Sequence, residues 1–118
     1  MKGGDKYYWT KHSLYKMRHY GLSEQRIKKI IRHPARVEEA IVPNLIAAMS
    51  PYGRSREAGQ PYKGEIWTMY QISKQKIKII TAWRYPGKSP ARNPIPQEIL
   101  DEIKNVISWN WFAKVDTG

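Results

Sequence analysis

The chain has 118 residues, no cysteine and a formal net charge of +11 at neutral pH, with a pI near 10.0. That length fits a single domain, residues 1–118, able to bury a core without disulfide or metal staples. The missing cysteines exclude a disulfide framework, a Cys-based zinc site and a thiol nucleophile. No apolar run approaches the roughly 20 residues of a membrane span, and the first residues lack the apolar stretch of a signal peptide, so a cytoplasmic protein that does not enter the membrane is expected.

The first element predicted is a helix from Thr10 or Lys11 to Tyr20. It is closed by Gly21, the residue that most easily adopts the left-handed helix-terminating conformation. Ser23 then reads as the N-cap of a second helix, in which Glu24 and Gln25 suit the first turn and Ile27, Ile30 and Ile31 recur on one side. Pro34 ends it, with Arg32 and His33 in the last turn, where positive charge meets the negative end of the helix dipole.

Strand signals follow over Arg36–Ile41 and Leu45–Met49, divided by the turn-forming pair Pro43-Asn44. From Ser50 to Gly64 the chain is rich in Pro, Gly, Ser and Arg and reads as a long loop, a length uncommon in a compact domain unless the loop has a function. Glu65–Ile72 and Lys76–Tyr85 form the clearest strand pair, joined at Ser73–Gln75. Strict alternation on the second strand groups Ile77, Ile79, Thr81, Trp83 and Tyr85 on the core side and leaves Lys76, Lys78, Ile80, Ala82 and Arg84 on the other. Residues 86–96 hold four prolines and form a second loop. Ile99, Leu100, Ile103, Val106 and Ile107 then mark an amphipathic helix whose early acids, Glu98, Asp101 and Glu102, suit a structural element turned away from a polyanion. The expected architecture is α+β: two N-terminal helices, an antiparallel sheet of about four strands and a C-terminal helix.

Charge is concentrated in two segments. Residues 1–36 carry a balance of +8 and residues 73–95 a balance of +6, whereas 37–72 and 96–118 are slightly acidic at −1 and −2. If folding joins the two basic segments they form one polyanion-binding groove; if it keeps them apart they are a solubilising coat. Five Trp and eight Tyr against one Phe add rings that stack on bases when interleaved with Arg and Lys.

On the first helix His12, Lys16 and His19 fall within roughly 60° of one another, opposite Leu14. Two imidazoles and an ammonium suit RNA cleavage without a metal, which needs a base for the 2′-hydroxyl, an acid for the leaving oxygen and cations on the phosphate. The same three residues equally fit the solvated face of a surface helix. Arg84, at a strand end between Trp83 and Tyr85, has the fork geometry to clamp a phosphate. Gly87-Lys88-Ser89 imitates the end of a phosphate-binding loop, but Ala82 stands where that motif needs glycine. Glu38 and Glu39 point to opposite strand faces, Glu65 is a lone acid, and the three histidines have no acidic partner nearby, so neither a metal nor a cofactor is expected.

The string HSLYKMRHYGLS, His12 to Ser23, together with ITAWR, Ile80 to Arg84, resembles a domain-of-unknown-function family of small prokaryotic proteins grouped with the RelE-like and BrnT-like ribonuclease toxins. The resemblance spans roughly residues 10–85 and implies a ribonuclease-toxin-like fold. It places the family's leading histidine on His12, its basic residue before methionine on Lys16 and its strand-terminal arginine on Arg84. Many relatives have arginine at the first basic position and again just before the glycine, where this chain has Lys16 and Tyr20. The expectation is therefore an RNA-interacting, toxin-like protein, with His12 as general acid/base and Lys16 and Arg84 on the phosphate of a metal-independent endoribonuclease. His19, Arg32, Arg36, Lys78 and Tyr85 would hold RNA. The alternatives are a non-catalytic RNA-binding module and an interaction protein partnered by an acidic antitoxin.

Overall fold

The computed structural model describes residues 6–39, 44–90 and 95–104. Their elements are β1 (Tyr7–Trp9), α1 (Lys11–Tyr20), α2 (Glu24–Arg32), β2 (Arg36–Glu39), β3 (Leu45–Tyr52), β4 (Gly64–Ser73), β5 (Lys76–Pro86) and α3 (Gln97–Ile103). The five strands make one sheet in the order β1-β5-β4-β3-β2, antiparallel throughout except for β1, which runs parallel to β5. The α+β class is as expected, but the sheet has five strands and is mixed. β1 is not among the expected elements because a three-residue edge strand is too short to show a period. Ala40, Ile41 and Pro43 of the expected hairpin, Arg92 of the proline-rich loop and Val106 and Ile107 of the expected last helix lie outside the described residues.

The helix ends form as their residues dictate. Thr10 caps α1, its hydroxyl accepting from the Ser13 N–H at 3.0 Å and donating to the Ile79 carbonyl at 2.8 Å, which ties the start of the helix to β5. Gly21 closes α1 at φ 69°, and Ser23 caps α2 by accepting from the Arg26 N–H at 3.1 Å. Ile27 and Ile30 are buried under α2, while Glu24, Arg26, Lys29 and Arg32 face solvent.

Both faces of the sheet are covered. Ile46, Ala48, Ile66, Tyr70, Ile79 and Ala82 meet Met17, Leu22, Ile27 and Ile30 of the α1–α2 layer. On the opposite face Leu45, Ala47, Met49, Trp67, Met69, Ile80 and Trp83 meet Ile99 and Ile103 of α3. Trp67 and Trp83, cross-strand partners, stack with centroids 5.8 Å apart and planes within 3°. Double coverage buries every residue of β4 from Gly64 to Gln71, so its polar Thr68 and Gln71 sit inside and no clean alternation is written there.

A β-bulge changes the facing of β5. Met69 pairs with Thr81 but Tyr70 pairs with Ile79, so two residues of β5, Ile80 and Thr81, stand opposite one. Trp83 is in the core as expected, but it shares a face with Ile80, and Ile79 shares the other face with Ala82. The single strict alternation across β5 is therefore corrected: past the bulge Arg84 lies on the α1–α2 side.

The long loop is shorter than its composition suggests. Ser50, Pro51 and Tyr52 complete β3, leaving residues 53–63 as the connection to β4. Among the described residues no helix is long and apolar enough to cross a membrane.

Candidate nucleic-acid interface

Three strand ends meet beside loop 53–63. The Lys63 N–H donates to the Tyr52 carbonyl at 3.1 Å and the Gly87 N–H to the Lys63 carbonyl at 3.0 Å, extending the ladder past its last paired residues. An open groove of about 1140 Å³ lies there, lined by Arg54, Arg56, Glu57, Tyr62, Lys63 and Gly87 among others. Arg54, Arg56 and Lys63 are exposed, as is Lys88 next to Gly87, and none of the four forms an ion pair among the described residues. Three cations against one carboxylate make the groove an electropositive concavity.

A buried carboxylate holds both banks. Glu65, fully buried, accepts from Tyr62 Oη at 2.5 Å, Trp67 Nε1 at 2.8 Å, Ser89 Oγ at 2.6 Å and the Ser89 N–H at 3.2 Å. Burial alone would push this carboxyl up; the bonds from Ser89, Tyr62 and Trp67 outweigh it and hold the group below the usual carboxylate range. Tyr62 responds in the opposite sense, its phenol pushed up to about 12 by desolvation and by the bond to Glu65. One anion thus fixes Tyr62 from the loop before β4 and Ser89 from the loop after β5.

Arg36 belongs to this network. Its guanidinium donates to Glu38 Oε2 at 3.0 Å, to Ser89 Oγ at 3.0 Å and to the Ser89 and Pro90 carbonyls, and it stacks over Trp67 at 5.2 Å. Arg36, expected to hold RNA, has its guanidinium donors engaged by Glu38, Ser89 and Pro90.

The expected His12, Lys16 and Arg84 constellation is not assembled as a phosphate site. Lys16 is buried, with Nζ 3.0 Å from Glu102 Oε1 and 3.4 Å from Oε2 and the ammonium over the Tyr20 ring at 5.2 Å. His12 Nε2 is 3.6 Å from the same Glu102 Oε1. Desolvation lowers the His12 pKa, an effect Glu102 opposes and Lys16 reinforces. The acidic C-terminal helix, expected to turn away from the basic surface, instead packs its carboxylate onto it. Arg84 donates from Nε to the Tyr20 carbonyl at 3.0 Å and lies over the Tyr52 ring at 4.9 Å. Tyr20 is eight residues along α1 from His12, about 12 Å of helix, so Arg84 is bound at the far end of α1.

Contrary to the expected facing of α1, Lys16 is inside and Leu14 is 38% exposed, because the helix turns Ser13, Lys16 and Met17 inward. His19 is exposed and Arg32 ends α2 in solvent. Lys78 is half-buried near the start of β5, opposite Tyr8 and Gln71, and about 26 Å along the strand from Pro86. Tyr85 packs against the α3-side core. None of these residues lines the groove: Arg36 joins the Glu65 network behind it and Arg84 lies over Tyr52 beside it, while the groove's own cations are Arg54, Arg56 and Lys63, which charge balance by segment passed over because residues 37–72 sum to −1.

No family model, curated protein or solved structure matches this chain.

Proposed function

We propose that this protein is an RNA-binding module that grips the phosphate backbone in the groove between loop 53–63 and the end of β5. The observation that carries the reading is the set of exposed cations Arg54, Arg56 and Lys63, without an ion pair among the described residues, on a concavity whose two banks are pinned by one buried anion, Glu65, with exposed Lys88 beside it. Each phosphate that these cations neutralise releases counterions. The net charge of +11 draws any polyanion toward this surface. RNA is chosen among polyanions on the likeness of His12–Ser23 and Ile80–Arg84 to the ribonuclease-toxin group, and a toxin-like ancestry of the fold belongs to the same proposal.

The test is the salt dependence of binding to a labelled RNA. Arg54→Ala/Arg56→Ala/Lys63→Ala flattens the slope of log affinity against log salt by about 2, near 0.7 per lost contact on a single strand. An unchanged slope and affinity would place the contact elsewhere.

A second reading, the endoribonuclease, is favoured by one observation: the partly buried His12 imidazole, its pKa lowered, beside the Lys16–Glu102 pair. It is tested by incubating RNA with wild type and His12→Ala in chelator. Cleavage by wild type alone supports it, and RNA left intact by both removes it.

A further inference from the structure

We infer that the RNA accepted by this surface is single-stranded, and that its bases stack on the exposed Tyr15 and His19 rings of α1. The inference rests on the RNA-binding reading and deepens it by naming the substrate class.

Its first ground is the outward face of α1. A surface helix ordinarily buries its apolar residues and exposes its lysines. Here Lys16 is 7% exposed while Tyr15 is 63% and Leu14 38% exposed. Lys11, Leu14, Tyr15 and Arg18 lie within a roughly 100° arc at i, i+3, i+4 and i+7, so the outer surface of this helix is an aromatic and aliphatic strip with a cation at each end. Burying Lys16 against Glu102 costs desolvation, and the core gains nothing from turning Tyr15 outward. A ligand with flat apolar faces and negative charges accounts for both choices of facing.

The second ground is continuity. The Tyr15 and His19 rings are nearly parallel at 6.4 Å, and His19 meets Tyr20 edge to face at 4.8 Å. The Tyr20 carbonyl holds Arg84, whose guanidinium covers Tyr52, and the Tyr52 carbonyl accepts from Lys63, which lines the groove. The exposed rings Tyr15 and His19 therefore connect, through the partly buried Tyr20, Arg84 and Tyr52, to Lys63 at the groove. Stacking platforms interleaved with cations bind single strands, whose base faces are free, and are useless to a duplex, whose bases already stack on one another.

The experiment measures binding of the full chain to three probes of comparable charge: a 12-nucleotide oligoadenylate, an RNA duplex and inorganic polyphosphate. Oligoadenylate is expected to bind at least tenfold tighter than duplex. Tyr15→Ala, on an exposed side chain, is expected to weaken oligoadenylate about tenfold, the worth of one stacked base, with polyphosphate affinity unaltered. Tyr15→Trp, which restores a ring, is expected to recover the loss. Duplex bound as tightly as oligoadenylate, or oligoadenylate affinity indifferent to Tyr15→Ala, overturns the inference while leaving the groove reading intact. Failure of all three probes to bind overturns both.

Discussion

Replacing Glu65 with glutamine tests whether the buried anion organises the groove. The side chain keeps its shape, but an amide presents one oxygen where the carboxylate presents two. With nitrogen at the Oε2 position, the Ser89 N–H, 3.2 Å away, loses its acceptor, and the Arg36 guanidinium, 3.9 Å away, loses the charge it faces. In the flipped amide, Trp67 Nε1 and Ser89 Oγ face a donor instead. Either way a buried donor is orphaned and Arg36 loses an anionic neighbour, a loss of about 3–5 kcal/mol for breaking a buried charged network. Against a total of about 5–15 kcal/mol this lowers the melting temperature on the order of 10 °C. The pH profile gives an independent check. Because the folded pKa of Glu65 is lowered, its stabilisation is present above the ordinary carboxylate value and is lost as pH falls through the folded value. Urea denaturation at pH 7 and at successively lower pH should therefore show wild type losing stability on acidification, while Glu65→Gln starts lower and loses less. Equal unfolding free energies at pH 7, or parallel acid profiles, would refute the assignment.

His12 titrates with the opposite chemistry but the same direction of effect. Its folded pKa lies below that of the unfolded chain, so the unfolded state takes up the proton first and stability declines as pH falls from about 6.5 toward the folded value. Thermal melts of His12→Gln across that window should be flatter than those of wild type, and parallel curves would show that burial of His12 carries no penalty. Gly64→Ala places a Cβ 2.8 Å from the Tyr52 ring and hydroxyl, and moving that ring takes away the surface on which Arg84 lies. A loss of about 1–3 kcal/mol in denaturant unfolding is expected for such overpacking; unaltered stability would mean that the ring shifts freely.

Much of the fold is legible locally. Gly21, Ser23 and Pro34 punctuate the two helices because capping depends on residues within one turn. The β4–β5 hairpin is evident from β-branched and aromatic runs around a short turn. The features that decide the site are non-local. The bulge opposite Met69 that re-aims Arg84 is tied to Thr10, which reaches Ile79 and Ile80 across some seventy residues. The pairing of Lys16 with Glu102 joins the first helix to the last, and no pattern within either helix indicates it. Glu65 reads as a lone acid because Ser89 is 24 residues away. Arg54 and Arg56 had one signal, two arginines in a loop too long to be a mere connection, which a balance taken over residues 37–72 cancels.

The central claim is that the cations at the sheet end, and not the His12 and Lys16 face of α1, are where RNA is held. The measurement that tests it most directly is RNA affinity across a salt series for wild type, for Arg54→Ala/Arg56→Ala/Lys63→Ala and for Lys16→Met. The account predicts a triple variant that binds more weakly with a salt slope flattened by about 2, and a Lys16→Met variant that binds like wild type. A triple variant with unaltered binding beside a crippled Lys16→Met would contradict it.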